Sequence, residues 1–216
     1  MNNYRYLLFD LDGTVTDSEE GILNSVRYCL AYYKINPPDD KLLKKFIGPP
    51  LVQSLKDHYA FDSEKATRAV KVYREYFRKK GMYENKLYPG IASLLKSLQE
   101  KGKINILATA KPTYYAKKIL RNFKIATYFR EIIGSNLDGS RMEKKDIIRH
   151  ILDRYPEIPV EKFIMIGDRM HDIEGALHHK MDSVWVRYGY GDDEEMQPYS
   201  PTYIAESVKD LEKLLL

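Results

Sequence analysis

Four short stretches of the chain are apolar at almost every position: Tyr6 to Phe9, Ile104 to Ala108, Phe163 to Ile166 and Val184 to Val186. A strand with one wet face alternates apolar and polar residues. An almost unbroken apolar run suits a strand covered on both faces, as in a parallel sheet. Ile132 and Ile133 predict a further strand. Elsewhere the apolar spacing changes to three and four, the helical period. Leu94, Leu95 and Leu98 mark one helix. Ala116, Ile119, Leu120 and Phe123 mark a second, and Ile147, Ile148, Ile151 and Leu152 a third. Alternating strands and helices predict an α/β fold, a doubly wound parallel sheet.

The stretch from about Ser18 to Lys86 breaks this rhythm and reads as helical throughout. Ile22, Val26, Cys29 and Leu30 form one stripe, and Ala66, Ala69, Val70, Tyr73 and Phe77 another. Pro37-Pro38 and Gly48-Pro49-Pro50 punctuate it. The pattern predicts a core from residues 1–16 and 87–216, with a helical cap domain, 17–86, inserted after the first strand. Two chain crossings near Thr16 to Ser18 and Leu87 to Gly90 then serve as hinges.

Composition narrows the classes. Of 216 residues, 44% are hydrophobic and 31% charged, as in a globular protein able to bury a core. The formal net charge of +4 is small and scattered, which argues against a nucleic-acid groove. A single cysteine, Cys29, excludes an internal disulfide and reads as a small core residue. Residues Met1 to Tyr6 lead into a strand without a secretory pattern, and no apolar run reaches membrane-spanning length. The expectation is a cytoplasmic protein, monomer or homodimer, without membrane or nucleic-acid partners. His58, His150, His178 and His179 share no spacing with the other polar motifs, and His171 reads as structural. The 18 tyrosines read mainly as amphipathic packing residues.

The candidate chemistry lies at the ends of the predicted strands, where α/β sheets bind ligands. Asp10-Leu11-Asp12-Gly13-Thr14 follows the first strand. One carboxylate there suits nucleophilic attack and the other proton exchange, although an isolated Asp-X-Asp-Gly is more often a surface turn. Thr109-Ala110-Lys111 follows the second strand, where a hydroxyl and backbone N–H groups suit a phosphate; a plain helix cap uses the same residue. Lys144 opens a helix, a position the helix dipole disfavours. Its neighbour Lys145 leaves the choice between the two open. Asp168 and Asp172, in Gly167-Asp168-Arg169-Met170-His171-Asp172, suit an oxygen-preferring cation such as Mg²⁺ or an N-terminal capping box.

Together, and in this order, the four segments resemble the haloacid dehalogenase superfamily of phosphatases, in its phosphoglycolate phosphatase-like branch with a helical cap. Gly48-Pro49-Pro50-Leu51, Asp138-Gly139-Ser140 and Tyr188-Gly189-Tyr190-Gly191 extend the resemblance over nearly the whole chain. It implies a Rossmann-like core and an aspartyl-phosphate mechanism. Asp10 would be the nucleophile, and Asp12 the acid and then the base. Thr109, Ala110 and Lys144 would hold the phosphate. Asp10, the Asp12 carbonyl and Asp168 would ligate Mg²⁺, with Asp172 ligating it or orienting a bound water. The halide-displacing branch lacks an acid at the position of Asp12, and the phosphonate-cleaving branch typically has Ala there, so Asp12 argues against both. The substrate expected is a small phosphomonoester, phosphoglycolate first and a nucleoside 5′-monophosphate second. Gly48 and Arg74, with Lys44 and Lys45, are cap candidates for specificity. Tyr28, Tyr59, Tyr73 and Tyr76 are candidates to stack a base. A sugar-phosphate phosphomutase and an inactive module that senses a phosphorylated ligand are the alternatives.

Overall fold

A strand whose two faces are both buried must lie inside a sheet, and β1 (Tyr6–Phe9) does so. The computed structural model describes residues 4–216. After β1 come β2 (Thr16–Asp17), α1 (Glu19–Tyr32), α2 (Asp40–Lys44), α3 (Leu51–Tyr59), α4 (Ser63–Tyr76), a π-helical turn over Phe77–Gly81, and β3 (Lys86–Leu87). Strand and helix then alternate: α5 (Ile91–Glu100), β4 (Ile104–Pro112), α6 (Thr113–Asn122), β5 (Glu131–Ser135), α7 (Lys144–Leu152), β6 (Phe163–Gly167), α8 (Met170–His178), β7 (Asp182–Val186), α9 (Asp193–Met196), β8 (Tyr203–Ala205) and α10 (Val208–Leu215).

The chain forms two compact units. One contains residues up to Asp17 and Leu87–Leu216; the other is Ser18–Lys86. The first holds a six-stranded sheet in the order β5-β4-β1-β6-β7-β8, every pair parallel. From β1 the chain runs outward through β4 and β5, then returns to β6 on the other side. That reversal is the topological switch point at which ligands bind in such sheets. Tyr6 and Leu8 join Ile147, Ile148, Ile151 and Ala176 of α7 and α8 in one apolar layer. Leu7 and Phe9, of opposite parity, are also fully buried. The sheet is thus a doubly wound parallel sheet with a Rossmann-like arrangement.

Elements are longer than the apolar runs suggest. β4 continues past Ala108 to Pro112, so Thr109 lies within the strand and α6 starts at Thr113. Its pairing with β5 slips between Thr109↔Gly134 and Pro112↔Ser135, an irregularity of the kind that re-aims a side chain. β8 has no counterpart in the apolar pattern, because its Ile204 is 50% exposed.

The unit of residues 18–86 is helical. Its Cys29 is buried, with Sγ 3.3 Å from Ala69 O. Gly21 on α1 lies so close to the π-helical turn that an added Cβ would sit 1.9 Å from Gly81 O. Among the described residues, no helix is long and apolar enough to cross a membrane.

Candidate active site

Three strand ends in the first unit converge. Asp10 follows β1 directly, and its N–H donates to Ile166 O on β6 at 2.9 Å. The next residues close a tight loop in which Leu11 O accepts from the N–H groups of Val15 and Thr16. Asp168 follows β6, and Asp172 lies in the first turn of α8. Carboxylate oxygens of Asp10, Asp168 and Asp172 lie within 4.8 Å of one another, and all three residues are buried.

The local sequence makes room for this crowding. Gly13 has φ +80°, and a Cβ there would meet Asp168 Oδ2 at 2.0 Å. A Cβ on Gly189 would lie 2.3 Å from Asp168 Cβ and 2.4 Å from Gly13 O. Asp168 is held from three sides: Tyr190 N–H donates to Oδ2 at 2.8 Å, Thr14 Oγ1 to Oδ1 at 3.3 Å, and Trp185 Nε1 to its carbonyl at 3.1 Å. Asp172 Oδ2 accepts from the Arg169 N–H at 3.2 Å, so it fulfils the capping role as well. Arg169 is itself anchored by both oxygens of Glu195, which also accepts from the Met170 N–H.

Lys144 is the first residue of α7, and it is buried. Its Nζ lies 2.9 Å from Asp10 Oδ1 and 2.6 Å from Asp172 Oδ1, and donates to Ala108 O at 2.8 Å. These partners offset the unfavourable dipole position. Lys145, by contrast, points to solvent and pairs with Glu143. Burial works against charge on Lys144, but the Asp10 and Asp172 carboxylates outweigh it and raise the ammonium's pKa. Burial pushes the Asp168 carboxyl well up, and Asp172 and Asp10 push it further. Burial likewise raises Asp172, with Lys144 opposing.

Three buried carboxylates around one ammonium leave an excess of negative charge in a low-dielectric place, which costs several kcal/mol for each uncompensated ion. A cation resolves that excess. The all-oxygen donor set fits a hard divalent ion. Asp10, Asp168 and Asp172 therefore form a group able to hold a metal.

On β4, Thr109 is buried and its Oγ1 accepts from the Lys111 N–H at 3.2 Å. Ala110 O accepts from Ser135 Oγ at 2.7 Å. Asp12 pairs through Oδ2 with Lys111 Nζ at 2.8 Å. The partners Lys111, Tyr190, Trp185 and Glu195 carry no role in the sequence reading. For Lys111 the apolar run gave no parity, because it stops at Ala108 and the register slips between Thr109 and Pro112. For the others, the contacts cross from one strand end to the next, and sequence spacing does not encode them. His171 is half-buried, and burial lowers its pKa.

The cap candidates lie in the other unit. Gly48 has φ +107°, and Arg74 is half-buried on α4. Lys44 pairs with Glu19 at 3.1 Å, and Lys45 is exposed. The tyrosines pack among themselves and their neighbours: Tyr28 on Tyr76, Tyr73 on Phe77, and Tyr59 on Phe46 and Phe61.

Comparison with known proteins finds relatives over nearly the whole chain. A 5′-nucleotidase of Pseudomonas aeruginosa is 43% identical over 212 residues, spanning 98% of this chain and 96% of the relative. Tyrosine-protein kinase PtkA of Mycobacterium tuberculosis is 36% identical, spanning 97% of this chain and 72% of the relative. Phosphoglycolate phosphatases match at lower identity, 27% for that of Pseudomonas fluorescens over 98% of this chain and 78% of the relative. The crystal structure of a predicted phosphatase from Clostridium acetobutylicum has a TM-score of 0.94 at 48% identity, covering 98% of each chain. The family described as haloacid dehalogenase-like hydrolase matches residues 7–186. With strand-end carboxylates, sheet order and sequence all in agreement, the chain belongs to the haloacid dehalogenase-like hydrolase family.

Proposed function

We propose that this phosphoric monoester hydrolase moves the phosphoryl group of a small phosphomonoester onto Asp10 and then onto water, with Mg²⁺ in the acidic cluster. The observation that carries the reading is the buried meeting of Asp10, Asp168 and Asp172 with Lys144 Nζ, 2.9 Å from Asp10. Phosphoryl transfer asks a protein mainly for alignment and for compensation of negative charge, and this group supplies both. Asp10, the Asp12 carbonyl and Asp168 would hold Mg²⁺, with Asp172 holding it or orienting a bound water. When bound, Mg²⁺ supplies the charge that lets a carboxylate approach an anionic phosphate.

The chain's own groups do the rest. Asp10 attacks phosphorus as the bond to the leaving oxygen breaks, and Asp12 gives that oxygen a proton. Asp12 then takes a proton from water, whose oxygen attacks phosphorus and releases Asp10. Lys144 and Thr109 hold the phosphoryl oxygens, with the Ala110 N–H. Because the Thr109 oxygen already accepts from Lys111, its own hydrogen remains to donate.

For substrate we favour nucleoside 5′-monophosphates over phosphoglycolate. The cap resemblance alone suggests the opposite order. The 43% identity of the relative named 5′-nucleotidase, against 27% for a phosphoglycolate phosphatase, supports the reversal. A panel of phosphomonoesters at saturating Mg²⁺ tests the reading. Nucleoside monophosphates are expected to exceed phosphoglycolate about ten-fold in kcat/KM, about 1.4 kcal/mol of transition-state preference. Phosphoglycolate in the lead restores the cap-based order. No turnover of any ester, including a generic aryl phosphate, favours an inactive sensing module. Phosphoryl transfer to a second sugar phosphate or to a tyrosine peptide, rather than to water, reassigns the chain as a transferase.

A further inference from the structure

Asp12 exchanges a proton in both halves of the proposed reaction, and the structure treats its two oxygens differently. Oδ2 pairs with Lys111 Nζ at 2.8 Å, where the two side chains keep only 12% and 7% of their exposure. Oδ1 is buried with no hydrogen-bond partner. One oxygen is anchored and the other has no hydrogen-bond partner.

The backbone delivers Lys111 to this place. The pairing of β4 with β5 slips between Thr109 and Pro112. Across the slip, Lys111 O lies so close to Gly134 that a Cβ there would be 2.2 Å away. Any larger residue at position 134 would push the irregularity out. Pro112 confines the residue before it to extended backbone. The Lys111 N–H is spent on Thr109 Oγ1 at 3.2 Å. One residue therefore fixes Thr109 through its main chain and Asp12 through its side chain.

We propose that Lys111 is a positioning residue for the proton-transferring carboxyl: it clamps Asp12 Oδ2 so that Oδ1 is presented to the leaving-group oxygen. The inference rests on the phosphatase reading and adds to it a specific source of leaving-group dependence. In the first step, the bond between phosphorus and the leaving oxygen breaks, one forms between phosphorus and Asp10, and the Asp12 proton moves to the leaving oxygen. An alkoxide needs that proton badly; a nitrophenolate hardly needs it.

The test compares kcat/KM for an aryl phosphate and a primary alkyl phosphate, with the full-length protein at saturating Mg²⁺. This constant reports the steps up to transfer onto Asp10, before water enters. Lys111→Met is expected to lose roughly 10²-fold on the alkyl ester, and at least ~10-fold less on the aryl ester, because positioned general acids contribute within about 10²–10⁴. Lys111→Arg should recover part of the alkyl rate. In an Asp12→Asn background, Lys111→Met should add no further loss, as expected for residues acting as a unit. Equal loss on both esters, no loss on either, or an additive loss in the Asp12→Asn background would overturn the proposal. A wild-type protein inactive on both esters would fail at the earlier step, the phosphatase reading itself.

Discussion

Asp168 concentrates the conflict between stability and chemistry. Its carboxyl is fully buried beside two others, and that burial raises its pKa well above the usual range. Asp168→Asn removes the charge and keeps the shape. The amide oxygen can accept from Tyr190 N–H while the amide nitrogen donates to Thr14 Oγ1, which rotates to receive it. The variant is expected to melt higher than wild type in chelator, by about 2–4 °C for each kcal/mol of relieved repulsion in a protein of this size. It should also lose the Mg²⁺-induced rise in melting temperature. An unchanged Mg²⁺ response, read by calorimetry, would remove Asp168 from the metal group. Asp10→Asn should abolish turnover with the fold intact by circular dichroism, and Asp12→Asn should cost ~10²–10⁴ on alkyl esters. Most of these residues were legible because each chemical pair is local, two or four positions apart at a strand end. Choosing Lys144 over Lys145 was not. Only the register of α7 against β4 turns one inward, to Asp10 and Asp172, and leaves the other with Glu143.

At the scale of elements, the site depends on close approach between strand ends. The loop after β7 lies against the loop after β1, and Gly189 touches both Asp168 and Gly13. Gly189→Ala places a methyl 2.4 Å from a backbone oxygen, which no side-chain rotation relieves. The expected outcome is a lower melting temperature and weakened Mg²⁺ binding together, whereas a site assembled from side chains alone would show no change in either. The apolar runs of β1, β6 and β7 announced themselves because both faces are covered. The end of β4 did not, since Thr109 and Lys111 are polar and Pro112 closes the strand, so the apolar run stops at Ala108. Nor did β8, an edge strand with a wet face, or the two-residue strands β2 and β3, too short to carry a period.

At the scale of the whole molecule, the excess of buried carboxylate over ammonium predicts that the protein is both active and most stable only with a small divalent cation. Mg²⁺ at about a hundred times its dissociation constant should stabilise the fold by ~2.7 kcal/mol. Excess chelator should abolish turnover. Ca²⁺, which accepts more oxygens, should inhibit by engaging both oxygens of Asp10, and competition kinetics against Mg²⁺ will show it. Full activity in chelator would contradict the metal assignment. The alternation of strand and helix, and the helical stretch that interrupts it, were readable from period alone. Substrate was not readable: the tyrosines singled out to stack a base pack on one another and on Phe46, Phe61 and Phe77, as ordinary packing residues do. The central claim is that the phosphoryl group rests on Asp10 before it meets water, and the stereochemical course at phosphorus tests it most directly. With an isotopically chiral phosphomonoester analogue, two successive in-line displacements predict retention of configuration; inversion would mean direct attack by water and would contradict the account.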